Sequence, residues 1–156
     1  ITCAPLLMRA GGKIATPDMV AAANPPDGFE PILSTSAFGW ENGPIFEKVE
    51  AGVFTRGFRV ASKHTNAGGT VHGGMIMTFA DIVLARGVGE VVSGPFVTVR
   101  LTTDFIGLAF KGDWVLGTAV AEKPEDGIIA VSGRIETEKH IVASMQGLFK
   151  VLRPRI

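Results

Sequence analysis

The 156-residue sequence holds one cysteine, no tyrosine and no net charge. The lone Cys3 excludes an internal disulfide and any cysteine-rich metal site, and a reducing, cytoplasmic setting is the expectation. Fifteen basic residues balance fifteen acidic ones, so the electrostatic footprint of a nucleic-acid binder is missing. No polybasic cluster points to a membrane surface. Long apolar runs are missing too. The opening ITCAPLLM is too short to span a bilayer, with no basic region ahead of it and no clear cleavage site behind it. The three histidines, His64, His72 and His140, lack metal-ligand spacing, and no metal is expected.

What is present is a chain of one-domain length, 46% hydrophobic, able to bury a sizeable core. Thr16-Pro17-Asp18 starts a short helix with a cap hydroxyl and Pro in the first turn, and Asn24-Pro25-Pro26 stops it. Residues 27–43 read as loop with apolar anchors at Phe29, Ile32, Phe38 and Trp40. Residues 44–50 and 53–62 read as a hairpin turning at Ala51-Gly52. A helix is expected over 72–92, apolar on more than one face and so buried. Four strands follow, over 96–106, 114–122, 128–138 and 140–152. The pattern predicts an α+β protein: an antiparallel six-stranded sheet wrapped around one long central helix. Val97, Val99, Ile129, Val131, Met145 and Phe149 are more apolar surface than one helix is expected to cover, which makes association through strands an expectation.

The densest chemistry lies between His64 and Asp81, in HTNAGGTVHGGMIMTFAD. Gly73-Gly74 opens the long helix and offers bare backbone N–H groups backed by the helix dipole. Asp81 sits inside the same apolar helix, and Arg86, five positions on, is poorly placed to pair with it. A carboxylate there needs a reason. An oxyanion held beside a base is the chemistry these features fit. Each also has a plainer reading. Gly73-Gly74 can serve tight packing, and Asn66 before Ala67-Gly68-Gly69 can be a turn residue. His72 reads as structural, its ring holding the Gly pair in place, while His64 and His140 read as polar residues at strand ends.

The pattern Asn66…Gly69…His72-Gly73-Gly74…Asp81 resembles the signature of hotdog-fold acyl-CoA thioesterases of the phenylacetate-degradation type. The likeness covers residues 27–152. Residues 1–26 lie outside it and read as an N-terminal extension with a short helix, and 27–156 is expected to be a single hotdog domain. The resemblance implies a homodimer or homotetramer with sites at the interface. Gly73 would be the oxyanion donor, Asn66 would place the thioester or the water, and Asp81 from the partner protomer would be general base or nucleophile. Thr98 would hold the water, and His72, Gly74 and Gly69 would line the substrate. No cofactor is implied, since the coenzyme A belongs to the substrate, and neither nucleic acid nor membrane is an implied partner. Two rival functions remain: a non-catalytic acyl-CoA-binding hotdog module, and a hotdog dehydratase or hydratase.

Overall fold

A computed structural model describes residues 11–153; Cys3 and the apolar opening lie outside the described residues. The chain runs α1 (Pro17–Ala23), β1 (Glu30–Pro31), α2 (Ala37–Asn42), β2 (Phe46–Glu50), β3 (Val53–Arg59), a 3₁₀ turn (Ser62–His64), α3 (Gly73–Val88), β4 (Phe96–Phe105), β5 (Trp114–Ala121), β6 (Ile128–Glu136) and β7 (Ile141–Val151). Every strand pair is antiparallel. The order across the sheet is β1-β2-β3-β5-β6-β7-β4. The strand after the long helix therefore closes the far edge.

The six expected strands are all present, and the two-residue β1 is a seventh. The segment read as loop also contains α2. Ser36 caps α2 by accepting from the Gly39 N–H at 3.1 Å. Only six residues long and carrying Gly39, α2 has no helical period for a sequence pattern to reveal. The long helix stops at Val88 rather than at 92, where Gly89 caps it with N–H bonds back to the last turn.

α3 is the centre of the core. Met75, Ile76, Phe79, Ala80, Val83, Leu84 and Val88 are buried against the sheet. Phe58 meets Phe79 edge-on at 4.8 Å, which locks β3 to the helix. Gly117 on β5 permits the close approach, since a Cβ there would lie 2.6 Å from a Val83 methyl. Ile129, Val131, Met145 and Phe149 are also buried in this core. One helix thus covers four of the six residues expected to demand a partner, because the sheet curls its inner face around it. Val97 and Val99 alone of that set stay exposed, at 45% and 56%.

A second cluster lies on the outer face of β2, β3 and β5. Phe46 and Trp114 pack there with Phe29 and Ala23 of α1. Arg59 stacks over Trp114 at 5.1 Å and donates from Nε to the Ala23 carbonyl at 2.8 Å. Farther toward the N-terminus, Lys13 and Ser34 exchange two backbone hydrogen bonds of 2.8 Å. Residues 11–26 are therefore packed onto the domain. Among the described residues, no helix is long and apolar enough to cross a membrane.

Candidate active site

The loop before α3 is shaped by its own side chains. Asn66 closes a turn: its Oδ1 accepts from the Gly68 and Thr70 N–H groups at 2.9 and 3.3 Å, and its Nδ2 donates to Thr70 Oγ1 at 2.9 Å. Gly69 has φ +80°, a conformation that favours glycine, and its N–H donates to the Asn66 carbonyl. At His72 the chain enters the helix, and the ring Nδ1 accepts from the Gly74 N–H at 2.8 Å. His72 is thus the N-cap, with its imidazole in the place a Ser or Asp oxygen usually takes. The ring, Gly73 and Gly74 are exposed. The Gly69 and Gly74 N–H groups are spent within the loop, whereas the Gly73 N–H has no acceptor among the described residues.

His64 is the buried anchor of this loop, with only 2% of its surface exposed. Its Nδ1 accepts from the Ala61 N–H at 3.0 Å, and its Nε2 lies 2.8 Å from the Asn42 carbonyl, to which it donates. The His64 carbonyl accepts from the His72 N–H. One residue therefore ties the end of α2, through its imidazole, to the start of α3, through its backbone carbonyl. Burial pushes its pKa below the usual imidazole value, partly opposed by the bond to Asn42. The expectation of a plain polar residue at a strand end is corrected. Its burial follows from α2, which the sequence pattern did not reveal. His140 does sit at a strand end, 2.6 Å from the Leu108 carbonyl.

Two turns into the helix, Asp81 accepts from the Thr98 hydroxyl at 2.7 Å through Oδ1. Thr98 lies on β4 just before a register shift against β7, in which Val99 is the extra residue. Arg86 does not serve Asp81. It is engaged by Glu47 at 2.6 Å and by Glu90 at 2.5 Å. Asp81 also lines a cavity of about 420 Å³ between α3 and residues 32–45, with Trp40, Phe38 and Ile32 among its apolar walls. Arg56 lines the same cavity and pairs with Glu47 at 3.2 Å. Burial lowers the Arg56 pKa, with Glu47 opposing. The sequence reading passed over Arg56, yet a signal was there: in VFTRGFR, Phe54, Arg56 and Phe58 alternate onto one face.

The structure brings Asp81 and Thr98 together, and separately gathers Asn66, Gly69, His72, Gly73 and Gly74 at the helix start. It does not join the two groups within one chain. Asp81 follows Gly73 by eight positions, roughly 12 Å along the helix axis. Among the described residues, no group of three or more His, Cys, Asp or Glu is placed to hold a metal.

Fold and relatives agree on the class of protein. Residues 68–144 match the thioesterase superfamily. The Pseudomonas aeruginosa protein PA0474, whose name carries the word esterase, is 35% identical over 129 residues, which is 81% of this chain and 96% of that protein. Among solved structures, a mutant of the phenylacetic acid degradation protein PaaI from Thermus thermophilus superposes with a TM-score of 0.66. It is 22% identical and covers 75% of this chain and all of that one. The BH2602 protein of Bacillus halodurans, determined with CoA, gives a TM-score of 0.65 at 23% identity, covering 70% of this chain and 74% of that one. The chain belongs to the thioesterase superfamily, and its long helix in a curled antiparallel sheet is the hotdog fold.

Proposed function

We propose that this chain hydrolyses acyl-CoA thioesters at a site completed by a second copy of itself. The observation that carries the reading is Asp81, held by the Thr98 hydroxyl through one oxygen and lining a largely apolar cavity of about 420 Å³. The other oxygen is left to act on the thioester, and the cavity has the volume and lining of a small-ligand site. In the reaction, Asp81 takes a proton from water as that water adds to the thioester carbonyl, or the carboxylate adds directly and forms an anhydride that water then hydrolyses, which supplies the proton and restores Asp81. The carbonyl oxygen gains the negative charge and is held by the Gly73 N–H. Collapse expels the CoA thiolate, which takes up the proton, and the acid is released. A thioester is already activated, so this chemistry needs positioned groups and neither metal nor cofactor.

The roughly 12 Å between Gly73 and Asp81 argues for two copies, because one carbonyl does not reach both. β4 supplies a means of pairing. It is a ten-residue edge strand, exposed along most of its length, and an open edge of that length is a template for another strand. Pairing β4 with its copy gives a homodimer, and two dimers a homotetramer. In this arrangement Gly73 of one protomer faces Asp81 of its partner, with Asn66, Gly69, His72 and Gly74 shaping the donor end.

The test uses benzoyl-, phenylacetyl- and hexanoyl-CoA with a thiol reagent. Release of free CoA is expected, and Asp81→Asn is expected to fold and bind while turnover falls by about two to four powers of ten. Bound but intact ligand identifies a binding module, and a dehydrated or hydrated acyl chain without thiol release identifies a dehydratase or hydratase. Near-normal turnover of Asp81→Asn removes the mechanism.

A further inference from the structure

The cavity has a feature that a hydrocarbon acyl group does not call for. Arg56 sits on the inner face of β3 between Phe54 and Phe58, and only 17% of its side chain is exposed. Its Nε donates to Glu47 at 3.2 Å, and one terminal nitrogen donates to the Ile82 carbonyl at 3.4 Å. A guanidinium has five N–H donors, so three find no acceptor among the described residues. Arg86 engages the same Glu47 oxygen at 2.6 Å, so two guanidinium groups share that one carboxylate. These donors of Arg56 are open to an acceptor bound in the cavity that it lines.

We propose that Arg56 is a specificity-determining residue, and that the substrates are short acyl-CoAs carrying an uncharged oxygen acceptor at the far end of the acyl group. This inference rests on the thioesterase reading. Charge favours a neutral acceptor: Arg56 and Arg86 are balanced by Glu47 and Glu90, and a substrate carboxylate would share the cavity with Asp81. Length follows from the helix. Asp81 and Ile82 both line the cavity, and the Ile82 carbonyl that Arg56 binds lies within about one turn, roughly 5 Å, of the Asp81 position. A thioester carbonyl seated at Asp81 then places an oxygen a few bonds along the chain against the guanidinium.

The test compares 5-oxohexanoyl-CoA with 5-methylhexanoyl-CoA, which has a methyl group in place of the ketone oxygen. The wild type is expected to favour the ketone by about 10- to 100-fold in kcat/KM, the effect of one hydrogen bond from a charged donor. The preference is expected to collapse in Arg56→Met, which keeps an unbranched side chain and loses every donor. Arg56→Lys keeps a cation beside Glu47 and serves if the first variant does not fold; it too should lose most of the preference. Equal use of both substrates by the wild type overturns the proposal, as does a preference that survives in either variant. Hydrolysis of benzoyl-CoA with neither hexanoyl analogue turned over overturns this inference alone, whereas no thiol release from any acyl-CoA overturns the thioesterase reading with it.

Discussion

At one edge of the sheet, β1 is two residues long, and the chain around it is put to use. α1 covers Phe46 and Trp114, Lys13 pairs with Ser34, and α2 is fastened by His64 to the loop before α3. At the other edge, β4 runs ten residues with Val97 and Val99 in solvent. Its only described strand partner is β7. The chain spends its own residues on closing the first edge and on walling the cavity beside it. Among the described residues, nothing of the kind is spent on the second. The difference marks β4 as the edge at which the proposed second copy would pair. The proposed site divides along the same line, with Asp81 meeting both the cavity and β4 while Gly73 lies eight positions away.

The most damaging way to break this contrast is to charge the open edge. Val97→Lys with Val99→Lys is expected to convert the protein to monomers and to remove nearly all turnover, since each site then lacks its second half. Val53→Lys, at an exposed position on the covered side of the sheet, is expected to leave the mass unchanged. Light scattering beside a thiol-release assay reads both. Monomers with full activity would place the whole site in one chain.

Next in size is the loss of the helix-start donor. His72 has ψ 136°, the extended conformation that a following proline prefers, and proline tolerates the first helical turn. Gly73→Pro is therefore expected to fold, and to lose turnover by about 10²–10³ with smaller loss of binding. Refolding Gly73→Pro together with Asp81→Asn sharpens the point. A mixed dimer has one site with both lesions and one with neither, so about a quarter of all sites should regain activity. Verified exchange with no recovery would refute the shared site.

A gentler cut is Thr98→Val, which removes the hydroxyl donated to Asp81 and keeps the shape. A fall of roughly tenfold in kcat is expected, with KM nearly unchanged, as a hydrogen bond to a charged group warrants. An unchanged kcat would make the contact incidental.

The smallest effect concerns the closed side. Burial holds the His64 pKa below its ordinary value. The unfolded chain therefore binds a proton before the folded one does. Stability from this group is full above about pH 6.5 and is lost as pH falls through and below that value toward the lowered folded pKa. The urea midpoint should drop between pH 7.5 and 5, and His64→Gln should flatten part of that slope. A slope that the substitution leaves unchanged would mean that other groups carry it.

The site was half legible in the sequence. Asp81 in an apolar helix and Gly-Gly at its start are local anomalies, and a local anomaly survives without tertiary context. Thr98 entered through the resemblance alone, and a bulge directly follows it. Arg56 was overlooked although its alternation with Phe54 and Phe58 was available, because an arginine in a strand reads as outward-facing until the sheet's inner side is known. Trp40 and Phe38 stand in a segment whose sequence reads as loop, because six residues of helix around Gly39 leave no period to detect.

By itself the sequence determined the local elements and the class. Thr16-Pro17 capped α1, alternating residues made the strands, an apolar sixteen-residue stretch made α3, and the spacing from Asn66 to Asp81 marked the family. These depend on neighbours within a few positions, where backbone geometry and side-chain period act directly. Tertiary structure decided what lies between distant segments. It buried Ile129, Val131, Met145 and Phe149 under one helix, left β4 open, set Thr98 against Asp81 across seventeen positions, and turned Arg56 into the cavity beside residues 32–45. Such contacts arise from how the sheet curls and which edge remains unpaired, and both are properties of the assembled layers rather than of any one stretch of chain.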